Sequence, residues 1–251
     1  MTSALIGHTG FVGQNLRAAA PFAVLVNSTN VEELRGKSFD LVVCAGVRAE
    51  KWKANRDPAG DLAGIERLLG VLREVRARRF LLVSTVDVFE QPLGVDESGV
   101  ADARHPYGRH RRLLETLCAH AFDTVIVRLP ALFGPGLKKN ALYDLLHDNR
   151  VDRIHPASSY QFYDLRWLWS DAERARDAGI RLLHLATEPL SMGEIAERCF
   201  ARVLRAPPGA PARYDLRSRH AEAWGGKGGY LRMRDEVLAA LQSFVRQERG
   251  A

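Results

Sequence analysis

A tyrosine and a cation lie four residues apart at Tyr107 and Arg111, and a threonine hydroxyl precedes them at Thr85. Residues four apart share one face of a helix, so the phenol and the guanidinium are expected to be neighbours. A nearby cation favours phenolate, so we expect the pKa of Tyr107 to be lowered. Taken singly, Thr85 could be an ordinary strand-end hydroxyl and Tyr107 a packed aromatic. Together they predict a proton-transfer site.

Three glycines, Gly7, Gly10 and Gly13, follow a short apolar run and precede a helical pattern. Such glycines let the chain turn tightly and let backbone N–H groups approach a pyrophosphate at a helix N-terminus. The alternative is a plain tight turn. The loop predicts a dinucleotide site whose contacts are Gly7, Thr9, Gly10, Phe11, Val12 and Gly13. Tyr107 would then move a proton while hydride passes to or from a nicotinamide.

The second predicted strand ends at Asn27 and Ser28 without an acidic side chain. Dinucleotide sites normally have an acid there that binds the ribose hydroxyls. Because its absence removes a repulsion against a 2′-phosphate, the expected cofactor is NAD or NADP, with NADP slightly favoured. Asn27 and Ser28 are the expected contacts, and Arg35 could reach a 2′-phosphate.

Short apolar runs alternate with helical patterns in the first half, which is typical of a parallel sheet covered by helices. The predicted strands are Ala4–Ile6, Phe22–Val26, Leu41–Val43, Phe80–Val83 and Val125–Val127. Helices are predicted from Asp61 and from Tyr107. The fold class is therefore α/β, a doubly wound parallel sheet of the Rossmann type.

The second half is less regular, and it predicts a small mixed lobe over residues 135–251. Residues 1–134 form the dinucleotide-binding core, which is completed by about 150–190. Residues 182–185 predict a further strand, and Ser191 with Glu194 predicts a capping box. The apolar positions of residues 237–245 predict a last helix that docks on the lobe.

Composition indicates a globular chain, with 251 residues, 46% apolar and 26% charged. Cys44, Cys118 and Cys199 lie far apart, which predicts small buried hydrophobes and a reducing cytosol. The histidines have no ligand spacing, so no metal site is expected. The chain shows no signal-peptide pattern and no apolar run of about 18 residues, so we expect a cytoplasmic protein without a membrane span.

The net charge of +6 favours an anionic partner: a phosphorylated cofactor, a nucleotide-linked substrate or nucleic acid. Nucleic acid is the weakest of these, because the basic run at residues 109–112 begins a helix expected to face the cofactor. No basic motif with interleaved aromatic residues accompanies it.

Motifs along the chain resemble, in order, those of the extended short-chain dehydrogenase/reductase family, the NAD-dependent epimerase/dehydratase group that mostly acts on nucleotide sugars. The matching segments are Gly7–Gly13 (G-x-x-G-x-x-G), Asp40–Gly46 (D-x-V-x-x-A-(A/G)), Ser84–Phe89 (S-(S/T)-x-x-V-Y), Pro106–Gly108 (P-Y-G-x-S-K), Arg128–Gly136 (R-x-x-x-x-(Y/F)-G-P-G) and Leu190–Ile195 (S-x-x-E-(L/I)). The resemblance covers about 200 residues. It implies a nicotinamide cofactor contacted by Ala45 and Gly46, and a catalytic Tyr107 whose hydroxyl partner is Thr85.

The chain departs from that family at three places that bear on activity. Arg111 stands where the family has lysine, and Asp61 stands where it has asparagine. Residues 163–167 replace its H-V-x-D-L segment. Two functions stay open: a nicotinamide-dependent epimerase or reductase of a nucleotide-linked sugar, or a catalytically degenerate dinucleotide-binding regulator or scaffold. A dehydratase is less favoured, because Asp87 is the one carboxylate after Thr85 where that reaction usually has two.

The substrate-contact candidates are Asp87, Lys138, Asn140, Tyr160 and Gln161. Lys138 and Asn140 lie in a basic turn that suits a diphosphate or is merely solvated. Tyr160 and Gln161 are candidates only through resemblance to a substrate-facing segment. The resemblance also implies a homodimer, joined through the helices from Asp61 and Tyr107.

Overall fold

The computed structural model describes residues 2–250, which form two compact units. The first unit contains residues 2–91, 100–128 and 166–183, and the second contains 92–99, 129–165 and 184–250. Each unit is therefore assembled from three separate stretches of the chain.

Twelve strands and eight α-helices are described. The strands are β1 (Ser3–Ile6), β2 (Val24–Val26), β3 (Ser38–Phe39), β4 (Leu41–Cys44), β5 (Arg76–Ala77), β6 (Phe80–Thr85), β7 (Thr124–Leu129), β8 (Ala131–Phe133), β9 (Ser159–Tyr160), β10 (Phe162–Asp164), β11 (Leu182–His184) and β12 (Leu190–Ser191). The helices are α1 (Phe11–Ala19), α2 (Lys51–Arg56), α3 (Pro58–Leu72), α4 (Pro106–Ala121), α5 (Ala141–Leu146), α6 (Leu168–Asp177), α7 (Met192–Phe200) and α8 (Arg234–Glu248).

The central sheet has six parallel strands in the order β11-β7-β6-β4-β1-β2. The predicted α/β fold is confirmed, and the five strands predicted in the first half all belong to this sheet. The further strand predicted at residues 182–185 is β11 and also joins it. The direction in which strands are added reverses between β1 and β4, and in open α/β sheets ligands bind in the crevice at such a reversal. No further strand of this sheet lies beyond β2 within residues 2–250, because the short β3 pairs with β5 instead.

The sheet strands are apolar and buried, as expected where helices cover both faces. Helix α3 begins where the Asp57 carboxylate accepts a hydrogen bond from the Gly60 N–H at 3.0 Å, and Pro58 occupies its first turn. Helix α4 begins in the same way: His105 Nδ1 accepts from the Gly108 N–H at 3.1 Å, and Pro106 follows the cap. These caps fix the residues at which both helices start.

The second unit contains the parallel pair β8–β10 and the antiparallel pair β9–β12. The Ser191 hydroxyl caps α7 by accepting from the Glu194 N–H at 3.2 Å, as predicted. The Glu194 carboxylate does not complete the capping box, because it binds the Arg234 guanidinium. The predicted last helix, α8, buries its apolar face and packs against α7 and β10.

The three cysteines are unpaired among the described residues. Cys44 and Cys118 lie in the core of the first unit, as predicted, while Cys199 is half-buried. Burial raises the pKa of the Cys44 thiol to about 11, so this thiol stays protonated. Within residues 2–250, the helices are too short or too polar to cross a bilayer.

Candidate functional site

The glycine loop lies between β1 and α1 and packs tightly against its neighbours. A Cβ on Gly13 would lie 2.1 Å from the Gly7 carbonyl oxygen, so α1 can approach the loop this closely only with glycine at that position. Gly7 has φ +87° and packs against the Ala45 backbone. A Cβ on Gly10, in contrast, would meet only the Gly7 oxygen at 3.4 Å. No side chain caps α1, so its first N–H groups are open to an anion.

A cleft of about 690 Å³ lies beside this loop, against α2 and α3. Asn27, Ser28 and Gly46 line it, so three of the predicted cofactor contacts share one cavity. The other lining residues are Ile6, Val31, Val47, Arg48, Glu50, Lys53, Ala54, Arg56, Asp57, Gly60, Asp61, Gly64, Ile65, Arg67 and Leu68. The structure therefore places the uncapped start of α1 and an open cleft in the same part of the first unit.

Arg35, the arginine expected near a 2′-phosphate, is not among the residues that line the cleft. Arg35 is held by Glu32 and Glu74 and by the Gly70 carbonyl. Arg67 instead lines the cleft and donates to the Ser28 carbonyl at 3.1 Å. Arg67 lies 39 residues along the chain from Ser28, so no local sequence signal could have indicated it.

Thr85 and Tyr107 meet where β6 ends and α4 begins. The Tyr107 hydroxyl lies close enough to the Thr85 side chain for this threonine to lower the pKa of the phenol, and Thr85 Oγ1 accepts from the Asp87 N–H at 3.1 Å. Gly108 permits this approach, because a Cβ there would lie 2.2 Å from the Asp87 carbonyl oxygen. The Tyr107 N–H donates to Asn55 Oδ1 at 3.0 Å. The predicted pair of hydroxyls is thus assembled at the carboxyl edge of the sheet.

Arg111 lies on the same face of α4, with its guanidinium 3.9 Å from the centre of the Tyr107 ring. One guanidinium nitrogen donates to Asp61 Oδ1 at 2.9 Å and to the Arg48 carbonyl at 2.5 Å, and the other binds Asp61 Oδ2. Arg111 is 4% exposed. The positive charge of Arg111 is therefore engaged by Asp61 and the Arg48 carbonyl within the protein.

A buried ion pair between Glu115 and Arg128 contacts the end of β6 next to the site. Glu115 is fully buried and binds Arg128 through both carboxylate oxygens, at 2.9 and 2.6 Å. It also accepts from the Ser84 hydroxyl at 2.6 Å, next to Thr85. The pair therefore fixes the strand end that carries Thr85.

Lys51 and His105 lie beside Thr85 and Tyr107 in the candidate site, and neither was predicted from the sequence. Lys51 Nζ binds Asp87 Oδ1 at 2.8 Å, two residues after Thr85. The His105 ring centre lies 6.4 Å from that of Tyr107, and its buried Nε2 has no partner among the described residues. Burial and Lys51 lower the pKa of His105. Neither residue belongs to a recognisable local motif.

The second unit contains the other substrate candidates. The Asn140 amide accepts from the Tyr143 N–H at 3.0 Å, as a cap of α5, and donates to the Leu132 carbonyl at 2.8 Å. Gln161 is 1% exposed and its amide bonds to Thr187 and Leu216. A substrate contact from either amide would break these bonds.

Tyr160 and Lys138 differ from each other in exposure. Tyr160 is half-buried and stacks on Tyr214, with 5.6 Å between ring centres. Lys138 is exposed, and among the four substrate candidates in this unit it is the most accessible.

A family model, the NAD dependent epimerase/dehydratase family, matches residues 22–179. The chain belongs to this family. The resemblance inferred from the motifs is therefore confirmed. No curated protein sequence matches the chain.

Solved structures with the family's fold superpose over nearly the whole chain. RMD from Pseudomonas aeruginosa, complexed with NADPH, has TM-score 0.74 and 20% identity over 98% of this chain and 99% of that one. A UDP-N-acetylglucosamine 4-epimerase from Methanobrevibacter ruminantium, in complex with UDP-N-acetylmuramic acid, has TM-score 0.77 and 12% identity over 99% and 98%. A dTDP-4-dehydrorhamnose reductase from Clostridium acetobutylicum has TM-score 0.76 and 16% identity over 99% and 100%.

The pKa of Tyr107 is not lowered, and our expectation of a lowered value is therefore wrong. Burial raises the pKa of Tyr107, and this effect outweighs the opposing influence of Arg111. Asp87 and Asp61 raise the pKa further, while the neighbouring Thr85 side chain lowers it. The expectation considered the cation alone and omitted both burial and the carboxylate bound to it.

Proposed function

We propose that this chain is a nicotinamide-dependent epimerase or reductase that acts on a nucleotide-linked sugar. The observation that carries the proposal is the placement of the Tyr107 phenol beside the Thr85 side chain, in the same unit as the glycine loop. Structural neighbours include epimerases and a reductase of nucleotide-linked sugars, which supports this substrate class. The family membership supports the nicotinamide cofactor.

The residues present fit a dinucleotide. Gly7, Gly10 and Gly13 form a cradle that a Cβ would fill or distort, and α1 offers uncapped N–H groups to a pyrophosphate. Asn27 and Ser28 are the proposed ribose contacts in the adjoining cleft. The bound cofactor would supply hydride transfer, which no amino-acid side chain provides.

NADP is the favoured form of the cofactor. The end of β2 has no acid that would repel a 2′-phosphate, and Arg67 stands next to Ser28. Arg67 lies at the surface, where its guanidinium also forms an ion pair with Glu32. A bound phosphate could compete with Glu32 for this guanidinium. We expect Arg67→Ala to weaken NADP binding while leaving NAD binding nearly unchanged, as measured by calorimetry.

The chain's own part in the reaction is a proton transfer at the Tyr107 hydroxyl. In reduction Tyr107 would donate a proton to the new carbinol oxygen, and in the oxidative half of epimerisation it would accept one. Thr85 would orient the phenol from its position beside the ring hydroxyl. Tyr107 is 6% exposed, so its hydroxyl lies where bulk water competes little for the proton.

We further propose that residues 135–251 form the substrate-binding lobe. Lys138 is exposed and suits the diphosphate of a nucleotide sugar as a point charge. Asp87, Tyr160, Gln161 and Asn140 remain the other proposed contacts, although the last two already bond within the protein.

A catalytically degenerate dinucleotide binder is the second candidate. The Arg111 geometry favours it, because a guanidinium bonded to Asp61 and to the Arg48 carbonyl has little capacity left for a cofactor ribose. Purified protein should be incubated with a panel of nucleotide sugars and NAD, NADP or their reduced forms. Product analysis and the reduced-nicotinamide absorbance separate the two candidates: turnover supports the enzyme, and cofactor binding without any turnover supports the binder.

A homodimer through α3 and α4 remains a proposal. The leucines of these two helices are largely buried within the chain, where α3 packs on α4. Leu113 is 38% exposed on α4 and would lie in the interface. Light scattering at micromolar concentration tests it, because a species of only about 28 kDa would contradict the dimer.

A further inference from the structure

Asp61 binds two neighbouring side chains of α4, Arg111 and His110. Both carboxylate oxygens bind the Arg111 guanidinium, in a bidentate pair. The second oxygen also lies 2.7 Å from His110 Nδ1. The Asp61 side chain is 10% exposed and that of Arg111 is 5% exposed, so this cluster is shielded from solvent.

The cluster is attached directly to Tyr107. The guanidinium lies against the tyrosine ring at 3.9 Å from its centre. Its other contacts, to the Arg48 carbonyl and at 3.4 Å to the Tyr107 carbonyl, leave it little freedom to move. The position of Asp61 in α3 therefore determines where the Arg111 charge sits relative to the phenol.

An unpaired cation beside a phenol favours phenolate, whereas a cation paired with a carboxylate contributes a much weaker dipolar field. We propose that Asp61 is a positioning residue that fixes Arg111 against the ring of Tyr107 and offsets its charge, and thereby sets how readily the Tyr107 hydroxyl gives up its proton. This inference rests on the proposed role of Tyr107 in proton transfer.

Other titratable groups lie on α4 and on the elements packed against it. Asp87 follows β6 and is itself paired with Lys51 of α2. His105, Arg109 and His110 belong to α4 or its cap. Burial and the two carboxylates Asp61 and Asp87 act in the same direction on the pKa of Tyr107, upward, and Arg111 acts against them. Removing the Asp61 charge alone should therefore shift the balance toward phenolate.

The test follows the ionisation of Tyr107 itself. Protein labelled with 3-fluorotyrosine gives one ¹⁹F signal for each of its six tyrosines, and Tyr107→Phe assigns the signal of interest. We expect Asp61→Asn to lower the ionisation midpoint of Tyr107 by about one pH unit or more, the usual effect of a close charge. Asp61→Glu, which keeps the carboxylate, should stay close to the parent.

Asp61→Asn leaves Arg111 buried without its partner, so that variant can fail to fold. The same exchange is therefore also made in an Arg111→Gln background, where no cation is left unpaired. Arg111→Gln alone should raise the midpoint, and Arg111→Gln with Asp61→Asn should return it to within about half a unit of the parent, because the native pair is nearly neutral.

A Tyr107 midpoint that is the same with and without the Asp61 charge, in both backgrounds, overturns the proposal and leaves Asp61 with a purely structural role. The pH at which turnover is half-maximal should move in the same direction as the midpoint. The ¹⁹F titration needs no turnover, so it separates this inference from the proposed function. Full turnover by Tyr107→Phe would overturn that function, whatever the titration shows.

Discussion

Gly10 is the position at which cofactor binding can be separated from folding. It precedes α1 with φ −76° and ψ 165°, an extended conformation that a β-branched residue readily adopts. An added Cβ would meet only the Gly7 carbonyl oxygen, at 3.4 Å. Gly10→Val should therefore change the free energy of unfolding by less than about 1 kcal/mol.

The same side chain would project over the uncapped N-terminus of α1, where the pyrophosphate is proposed to bind. Valine methyl groups there would keep the phosphate oxygens away from the backbone N–H groups. Dinucleotide affinity should fall at least tenfold, which corresponds to about 1.4 kcal/mol. Loss of more than one N–H contact would increase this figure.

Calorimetry with NAD and NADP measures the affinity, and urea unfolding measures the stability of the same samples. Gly70→Val is the matched control, because a Cβ there meets only an Arg35 nitrogen at 3.9 Å and Gly70 is not part of the cleft lining. The control should keep the parent's affinity. Equal affinity in Gly10→Val and the parent would refute the cradle, and the loop would be only a turn.

Three further predictions concern folding. Gly13→Ala places a Cβ 2.1 Å from the Gly7 carbonyl oxygen, so urea unfolding should show a loss of about 1–3 kcal/mol or more. Glu115→Ala removes the carboxylate that binds the buried Arg128 and should cost about 3–5 kcal/mol in the same assay, whereas the exposed Glu66→Ala should change little. Burial raises the pKa of the Asp61 carboxyl, but hydrogen bonds from Arg111 and His110 outweigh it and hold the pKa below its usual value of 3.8. The ionised Asp61 therefore stabilises the fold above that pH. Unfolding measured during acidification should show this stabilisation disappear as the pH falls below 3.8. Asp61→Glu keeps the carboxylate and should largely preserve this pH dependence.

The sheet and its glycine loop could be predicted because their signals are local. Buried parallel strands appear as short apolar runs, and the loop must use glycine where a Cβ would strike backbone, as at Gly13. The pair of hydroxyl side chains could also be predicted from the sequence, because Thr85 ends a strand and Tyr107 follows the proline that starts a helix. A parallel sheet brings such positions to one edge.

Contacts between distant segments could not be read from the sequence. The state of Tyr107 depends on the bond between Asp61 and Arg111, which are 50 residues apart. The contact between Arg67 of α3 and the Ser28 carbonyl also joins distant segments of the chain. Arg35, which is closer to Ser28 in the sequence, forms ion pairs with Glu32 and Glu74 instead. Gln161 looked available for substrate, yet the fold uses its amide to join residues 55 positions away. Side-chain partners of this kind are set by packing.

Tyr107→Phe tests the central claim most directly, because it keeps the packed ring and removes only the hydroxyl. Tyr143→Phe, in α5, is the matched control outside the proposed proton-transfer site. With an established nucleotide-sugar substrate, turnover of Tyr107→Phe should fall by roughly 10²–10⁴-fold, the usual contribution of general acid–base catalysis, while cofactor affinity barely changes. Full turnover by Tyr107→Phe on that substrate would contradict the account.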